Sequence, residues 1–141
     1  SLDEAYLDVT HNKKGLPSAT LLARELTSRI REETQLTASA GISVNKFMAK
    51  TASDVNKPNG IFLIPPEEVV SYISRMPIER FYGIGKVTAE KMKKMGIIFG
   101  EDLRDYSEND LVTRFGKSGH FYYRICRGID ERPVNPERVR K

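Results

Sequence analysis

Between positions 19 and 30, apolar residues return at helical spacing. Leu22, Leu26 and Ile30 form one row beside Ala19 and Ala23, while Arg24, Glu25, Arg31 and Glu32 stand outside it. This predicts an amphipathic helix over residues 18–33, capped by Ser18 and packed on a sheet. The pattern before it is different: residues 5–9 are a β-branched and aromatic run that suits a strand. Small and β-branched residues at 36–44 predict a second strand, in which Gly41 allows a bulge or a close backbone approach. Asn45 then caps a second helix running to about position 55. Phe47, Met48, Thr51, Ala52 and Val55 form its apolar face, and Lys46 and Lys50 lie four apart on a basic one. Asn56-Lys57-Pro58-Asn59-Gly60 breaks that helix, and residues 61–64 form a short buried strand. Strand, helix, strand, helix, strand in this order predicts an α+β layer, with an antiparallel or mixed sheet and helices on one face.

Pro65-Pro66-Glu67-Glu68 marks a boundary, and the pattern beyond it is helical. Helices are predicted over 67–74, 86–95, 101–106, 107–114 and 117–127, with a short turn at 78–82 and a stop at Gly96. The expected organisation is an α+β unit over 1–65, a small all-helical unit over 66–131, and a basic linker over 132–141. That last stretch holds Arg132, Pro133, Pro136, Arg138, Arg140 and Lys141. A start without methionine, at or just before a strand, and a basic end with no terminator of its own are the expected marks of a piece of a longer protein.

Composition narrows the class. With 39% hydrophobic and 30% charged residues in 141, the chain is globular, enough for one large or two small domains. No apolar run reaches the length of a membrane span, and no signal-peptide pattern opens the chain. Cys126 is the only cysteine. An internal disulfide is therefore excluded, a reducing compartment fits, and the residue reads as a small core position. A formal charge of +4 permits a polyanionic partner without requiring one, and its distribution is more telling. Residues 111–128 carry Arg114, Lys117, Arg124 and Arg127 and no acid; residues 86–95 carry Lys86, Lys91, Lys93 and Lys94 against Glu90.

Three places hold candidate chemistry. Asp3 and Glu4 are adjacent carboxylates, which alternation along a strand sends to opposite faces unless the backbone bends there. Held together they repel, so they bind a proton or face a cation, and hard oxygen donors suit Mg²⁺ beside substrate phosphates. A bare Asp-Glu pair is by itself most often a solvated turn. Asp8 lies too far along a strand to join them, and Tyr6 reads as packing. Lys57 follows a helix end in a tight turn, where an ammonium serves as a point charge on phosphate or is simply solvated. Gly83-Ile84-Gly85-Lys86 opens a basic helix: glycines let a backbone approach, and free amides at a helix start bind phosphate. A third glycine and a surrounding strand-helix-strand unit are both lacking, so it is no dinucleotide fingerprint. The loop from Phe115 to His120 lacks the Walker spacing. His120 reads as a surface or interhelical residue, and Phe121, Tyr122 and Tyr123 as helical core.

Taken whole, the string Ser1-Leu2-Asp3-Glu4-Ala5-Tyr6-Leu7-Asp8-Val9-Thr10 closely resembles the palm motif of the Y-family, lesion-bypass DNA polymerases. Further matches follow in order: Thr37 to Ser43, Asn45 to Lys50, Ala52 to Asp54, Asn56 to Gly60, Gly83 to Lys86 and Gly128 to Glu131. Together they cover essentially the whole chain. The resemblance implies the carboxylate-bearing part of the palm followed by the thumb, with Gly83 to Lys91 resembling a helix-hairpin-helix. By that resemblance Asp3 and Glu4 are catalytic and hold two Mg²⁺ ions, together with an upstream aspartate. Lys57 contacts the incoming deoxynucleoside triphosphate, while Gly83, Gly85, Lys86 and Lys91 grip primer-template DNA. A cytoplasmic enzyme, a sliding-clamp partner and a little-finger domain beyond the linker are also implied. The stretch alone is expected to bind duplex DNA weakly and not to polymerise. The competing reading is a non-enzymatic DNA-binding module built on the helix-hairpin-helix, which leaves Asp3, Glu4 and Lys57 as coincidence.

Overall fold

A computed structural model describes residues 1–137. The described helices are α1 (Ala19–Thr34), α2 (Lys46–Ser53), α3 (Val69–Arg75), α4 (Lys86–Lys94), α5 (Gly100–Leu103), α6 (Glu108–Phe115) and α7 (Ser118–Ile125). Two strands, β1 (Ala40–Ile42) and β2 (Ile61–Leu63), and two 3₁₀ turns, Pro66–Glu68 and Ile78–Arg80, complete the described set. The described chain divides into two compact units, residues 1–63 with residues 131–137, and residues 64–130.

In the first unit β1 and β2 pair in parallel, with Ala40 opposite Ile61, Gly41 opposite Phe62 and Ile42 opposite Leu63. This corrects the antiparallel or mixed sheet expected from the pattern. The two strands flank α2, and a helical crossover returns the chain to the end of the sheet where it started, so the second strand runs the same way as the first. The predicted strand at 36–44 shrinks to three residues, matching the three that β2 offers. Residues 5–9 join no sheet among the described residues: their residue types suit a strand, but a strand also needs a neighbour.

Both long helices of this unit begin at the expected caps. Ser18 Oγ accepts from the Leu21 amide at 3.4 Å, and Asn45 Oδ1 accepts from the Met48 amide at 2.9 Å. Phe47, Met48 and Ala52 of α2 are fully buried. A Cβ on Gly41 would stand 2.0 Å from the Ala49 carbonyl oxygen and 2.2 Å from the Ser53 nitrogen, so the bare glycine is what lets α2 lie against β1. The stripe on α1 is only partly covered: Leu22 and Ile30 are half-buried, while Leu26 remains exposed.

The second unit is helical, as expected. Its core joins Ile73, Ile78, Phe81, Met92, Ile97, Leu103, Leu111, Ile125 and Cys126. A short antiparallel bridge between Pro77 and Phe99, with Ile78 donating to the Ile98 carbonyl at 2.9 Å, ties the middle of the unit together. Ser107 and Asp110 cap α6 reciprocally. Asp102 Oδ2 accepts from the Ile98 and Phe99 amides, both at 2.9 Å, and holds the chain as it enters α5. Residues 131–137 are irregular. Arg138, Arg140 and Lys141 of the expected linker lie outside the described residues.

Candidate functional site

The arm that opens the chain lies on α2. Glu4 Oε1 is 2.5 Å from Lys50 Nζ, and Lys46 Nζ stands 4.8 Å from the centre of the Tyr6 ring. Residues two apart on extended chain repeat every ~6.6 Å on one side, and residues four apart on a helix rise ~6.0 Å on one face. Glu4 and Tyr6 therefore fall into register with Lys50 and Lys46, with the arm antiparallel to the helix. The basic face of α2 is thus a ledge for the acidic arm. Asp3 sits in a turn with Leu2, exposed, and accepts a hydrogen bond from the Ser1 hydroxyl. Asp8 turns elsewhere: its Oδ1 accepts from the Thr10 hydroxyl at 2.7 Å and the Thr10 amide at 3.1 Å, hydrogen bonds that lower its pKa.

The ion pairs continue along α2. Lys50 Nζ is also 3.6 Å from Asp54 Oδ1, and that same oxygen is 2.6 Å from Lys57 Nζ. One chain of alternating charge therefore joins Glu4 to Lys57 through Lys50 and Asp54, which brings together two sites 53 positions apart in sequence (57 − 4). The Lys50 side chain is only 13% exposed. Burial works against its charge, yet the Glu4 hydrogen bond and the charges of Asp54 and Glu4 outweigh that and raise its pKa. The sequence offers Lys50 only as a phosphate-facing or solubilising lysine of a basic helix face, and it gives Asp54 no role. Their spacing of four, and that of three from Asp54 to Lys57, was the available signal. Asp3 and Glu4 fit a hard divalent cation: both offer carboxylate oxygen near solvent, and Glu4 already receives a cationic head group. Among the described residues no cluster of three or more His, Cys, Asp or Glu is placed to hold a metal by itself. Carboxylate pairs completed by substrate phosphates do not need one.

In the second unit, Gly83 takes φ +95° and Ile84, 7% exposed, plugs into the core between the two glycines. A Cβ at Gly85 would meet nothing within 4 Å, so the turn is open to an approaching backbone. Gly85 begins α4 without a side-chain cap, and the first turn carries Lys86 and no acid. A positive helix start beside a lysine leaves free amides and a local excess of positive charge. The arm before the hairpin is a single 3₁₀ turn, Ile78–Arg80. Lys86 is exposed. Lys91, expected beside it, is placed differently: its Nζ donates to the Arg114 carbonyl at 2.5 Å and lies 4.9 Å from the Phe115 ring centre, bracing the end of α6. His120 is interhelical, with Nδ1 2.8 Å from Glu108 Oε1. Of the three aromatics on α7, Tyr122 is buried, while Phe121 and Tyr123 are intermediate.

Comparisons with known proteins agree with this layout. Residues 1–54 match the impB/mucB/samB family, and residues 80–130 match the DNA polymerase-iota thumb domain. DNA polymerase IV of Leptospira interrogans is 52% identical over all 141 residues, which make up 39% of that protein. DNA polymerase IV of Desulfotalea psychrophila is 55% identical over the same span, 38% of its length. The chain thus spans about two fifths of the curated relatives it matches. Among solved structures, a Y-family DNA polymerase chimera superposes with a TM-score of 0.90 at 32% identity, covering 99% of this chain and 41% of that one. DinB from Sulfolobus solfataricus gives a TM-score of 0.85 at 33% identity, covering 95% and 40%. Sequence motifs, fold and relatives converge: the chain belongs to the Y-family of DNA polymerases.

Proposed function

We propose that this chain supplies the carboxylate-bearing part of the palm, over residues 1–65, and the thumb, over 66–131, of a template-directed lesion-bypass DNA polymerase. Residues 132–141 lead toward a little-finger domain. The observation that carries this reading is the Asp3-Glu4 arm lying on α2, joined by ion pairs to Lys57. In the reaction the primer 3′-hydroxyl attacks the α-phosphorus of a deoxynucleoside triphosphate, a P–O bond forms, and pyrophosphate leaves. Asp3 and Glu4 would hold Mg²⁺ through their carboxylate oxygens, and the ion would supply activation of the attacking hydroxyl and neutralisation of phosphate charge. Lys57, exposed at the turn after α2, trades its Asp54 contact for triphosphate oxygen. The open hairpin from Gly83 to Lys86 takes a DNA phosphate on the α4 amides, giving affinity without base preference. Lys91 supports that grip by bracing α6 against α4.

Primer-template DNA and deoxynucleoside triphosphates are the substrates. A sliding clamp and a cytoplasmic location follow from the family. No helix among the described residues is long and apolar enough to cross a membrane. The test is single-nucleotide addition to a primer-template by the full-length natural protein, with Mg²⁺ and one complementary triphosphate. Extension is expected. Retained DNA binding without extension favours the competing reading, a DNA-binding module served by α4 alone.

A further inference from the structure

The polymerase reading gives Lys50 no part in the chemistry, yet it is the hub of the site. Its ammonium touches Glu4 Oε1 at 2.5 Å and Asp54 Oδ1 at 3.6 Å, and Asp54 Oδ1 also receives Lys57 at 2.6 Å. The side chain is 13% exposed, against 37% for Glu4 and 53% for Asp54, so the lysine is the fixed member and the carboxylates are the movable ones. Lys50 springs from the middle of α2, whose neighbours Phe47, Met48 and Ala52 are fully buried. Among the described residues, Glu4 is bonded through Oε1 only.

We propose that Lys50 is a positioning residue and resident counter-cation: it pins one oxygen of Glu4, leaves the other to a divalent ion, and sets the affinity for that ion. The inference rests on the carboxylate reading above. Two consequences pull apart. An ammonium against Glu4 repels an incoming cation, so removing it strengthens metal binding. Loss of the pin lets Glu4 swing and leaves Asp54 paired with Lys57 alone, so turnover falls. A residue that merely stabilised the fold would weaken both together.

The experiment measures Mn²⁺ binding to the full-length protein by calorimetry, without DNA, alongside single-turnover nucleotide addition. The variants are Lys50→Met, Lys50→Arg and Glu4→Gln. Lys50→Met keeps the length of the side chain at a mostly buried position, and its fold is checked by circular dichroism. Mn²⁺ binding by Lys50→Met is expected to tighten roughly two- to five-fold, the scale of one partly solvated ion pair, while its rate of addition falls at least about ten-fold, the scale of one lost charge-assisted hydrogen bond. Lys50→Arg retains the charge and is expected to bind Mn²⁺ within about two-fold of the natural protein, again on the scale of a partly solvated ion pair. Unchanged or weaker Mn²⁺ binding by Lys50→Met, with Glu4→Gln clearly weakened, overturns the role of Lys50 and leaves the carboxylate reading standing. Mn²⁺ binding that is indifferent to Glu4→Gln removes the carboxylate reading itself, and this inference with it.

Discussion

Single residues carry charges and thiols whose surroundings decide their behaviour. Cys126 is fully buried at the end of α7, with Sγ donating to the Tyr123 carbonyl at 3.2 Å. Burial pushes its thiol up from the ordinary value of 9.0, against the pull of nearby Arg127 and Arg104. A raised thiol pKa leaves less thiolate in the folded state at any neutral or mildly alkaline pH; its contribution to stability is fully present below the ordinary value of 9.0 and is lost as pH rises from there through the folded value. Labelling by a maleimide at pH 8 is therefore expected to be at least about ten-fold slower in the native protein than in urea. Equal rates contradict the buried placement. Lys57 is the opposite case: it is half-exposed and paired with an exposed carboxylate, Asp54. Lys57→Ala in the full-length enzyme is expected to raise KM for the incoming triphosphate about ten-fold, on the scale of one charge-assisted hydrogen bond. Steady-state kinetics check this, and an unchanged KM moves triphosphate binding elsewhere.

At the scale of elements, the helices were legible because their signals are local. Asn45 caps α2 and Ser18 caps α1; of the expected apolar face of α2, Phe47, Met48 and Ala52 bury, while Val55, beyond the helix end at Ser53, stays exposed. What depends on partners far along the chain was not legible. Residues 5–9 have strand chemistry but find a helix ledge, Lys46 and Lys50, instead of a neighbouring strand. The parallel pairing of β1 and β2 could have been read from a helix lying between two short strands, since such a crossover imposes it. Asp3, Glu4 and Lys57 are site candidates through the family motif, whereas the pairing of Lys50 with Glu4 is visible only with the arm laid on α2. Lys91 marks the limit most clearly. Its sequence context is a basic helix, but its ammonium reaches the last turn of α6, 23 residues away. Lys86 and Lys91 are accordingly expected to separate. Lys86→Ala should lower the salt slope of DNA binding by about one while leaving the unfolding midpoint unchanged. Lys91→Ala should lower the unfolding midpoint and change the slope little. Equal slope losses in both variants contradict the brace assigned to Lys91.

For the molecule as a whole, each compact unit has its own task in the proposed enzyme. The unit from Ser1 to Leu63 carries the acidic arm and its lysine ledge, and the unit from Ile64 to Asp130 carries the open hairpin. The chain spans about two fifths of the DNA polymerases it matches, so the catalytic test belongs to the full-length protein. The most direct measurement of the central claim is Mg²⁺-dependent primer extension by that protein beside Asp3→Ala and Glu4→Gln, with DNA affinity measured on the same preparations. Extension is expected to fall by at least about 1,000-fold in both variants, because each removes an oxygen donor from the cation that stabilises the transferring phosphate. DNA affinity should stay within about two-fold, since the thumb grip is untouched. Extension that survives both substitutions contradicts the account and places the chemistry outside the Asp3-Glu4 arm.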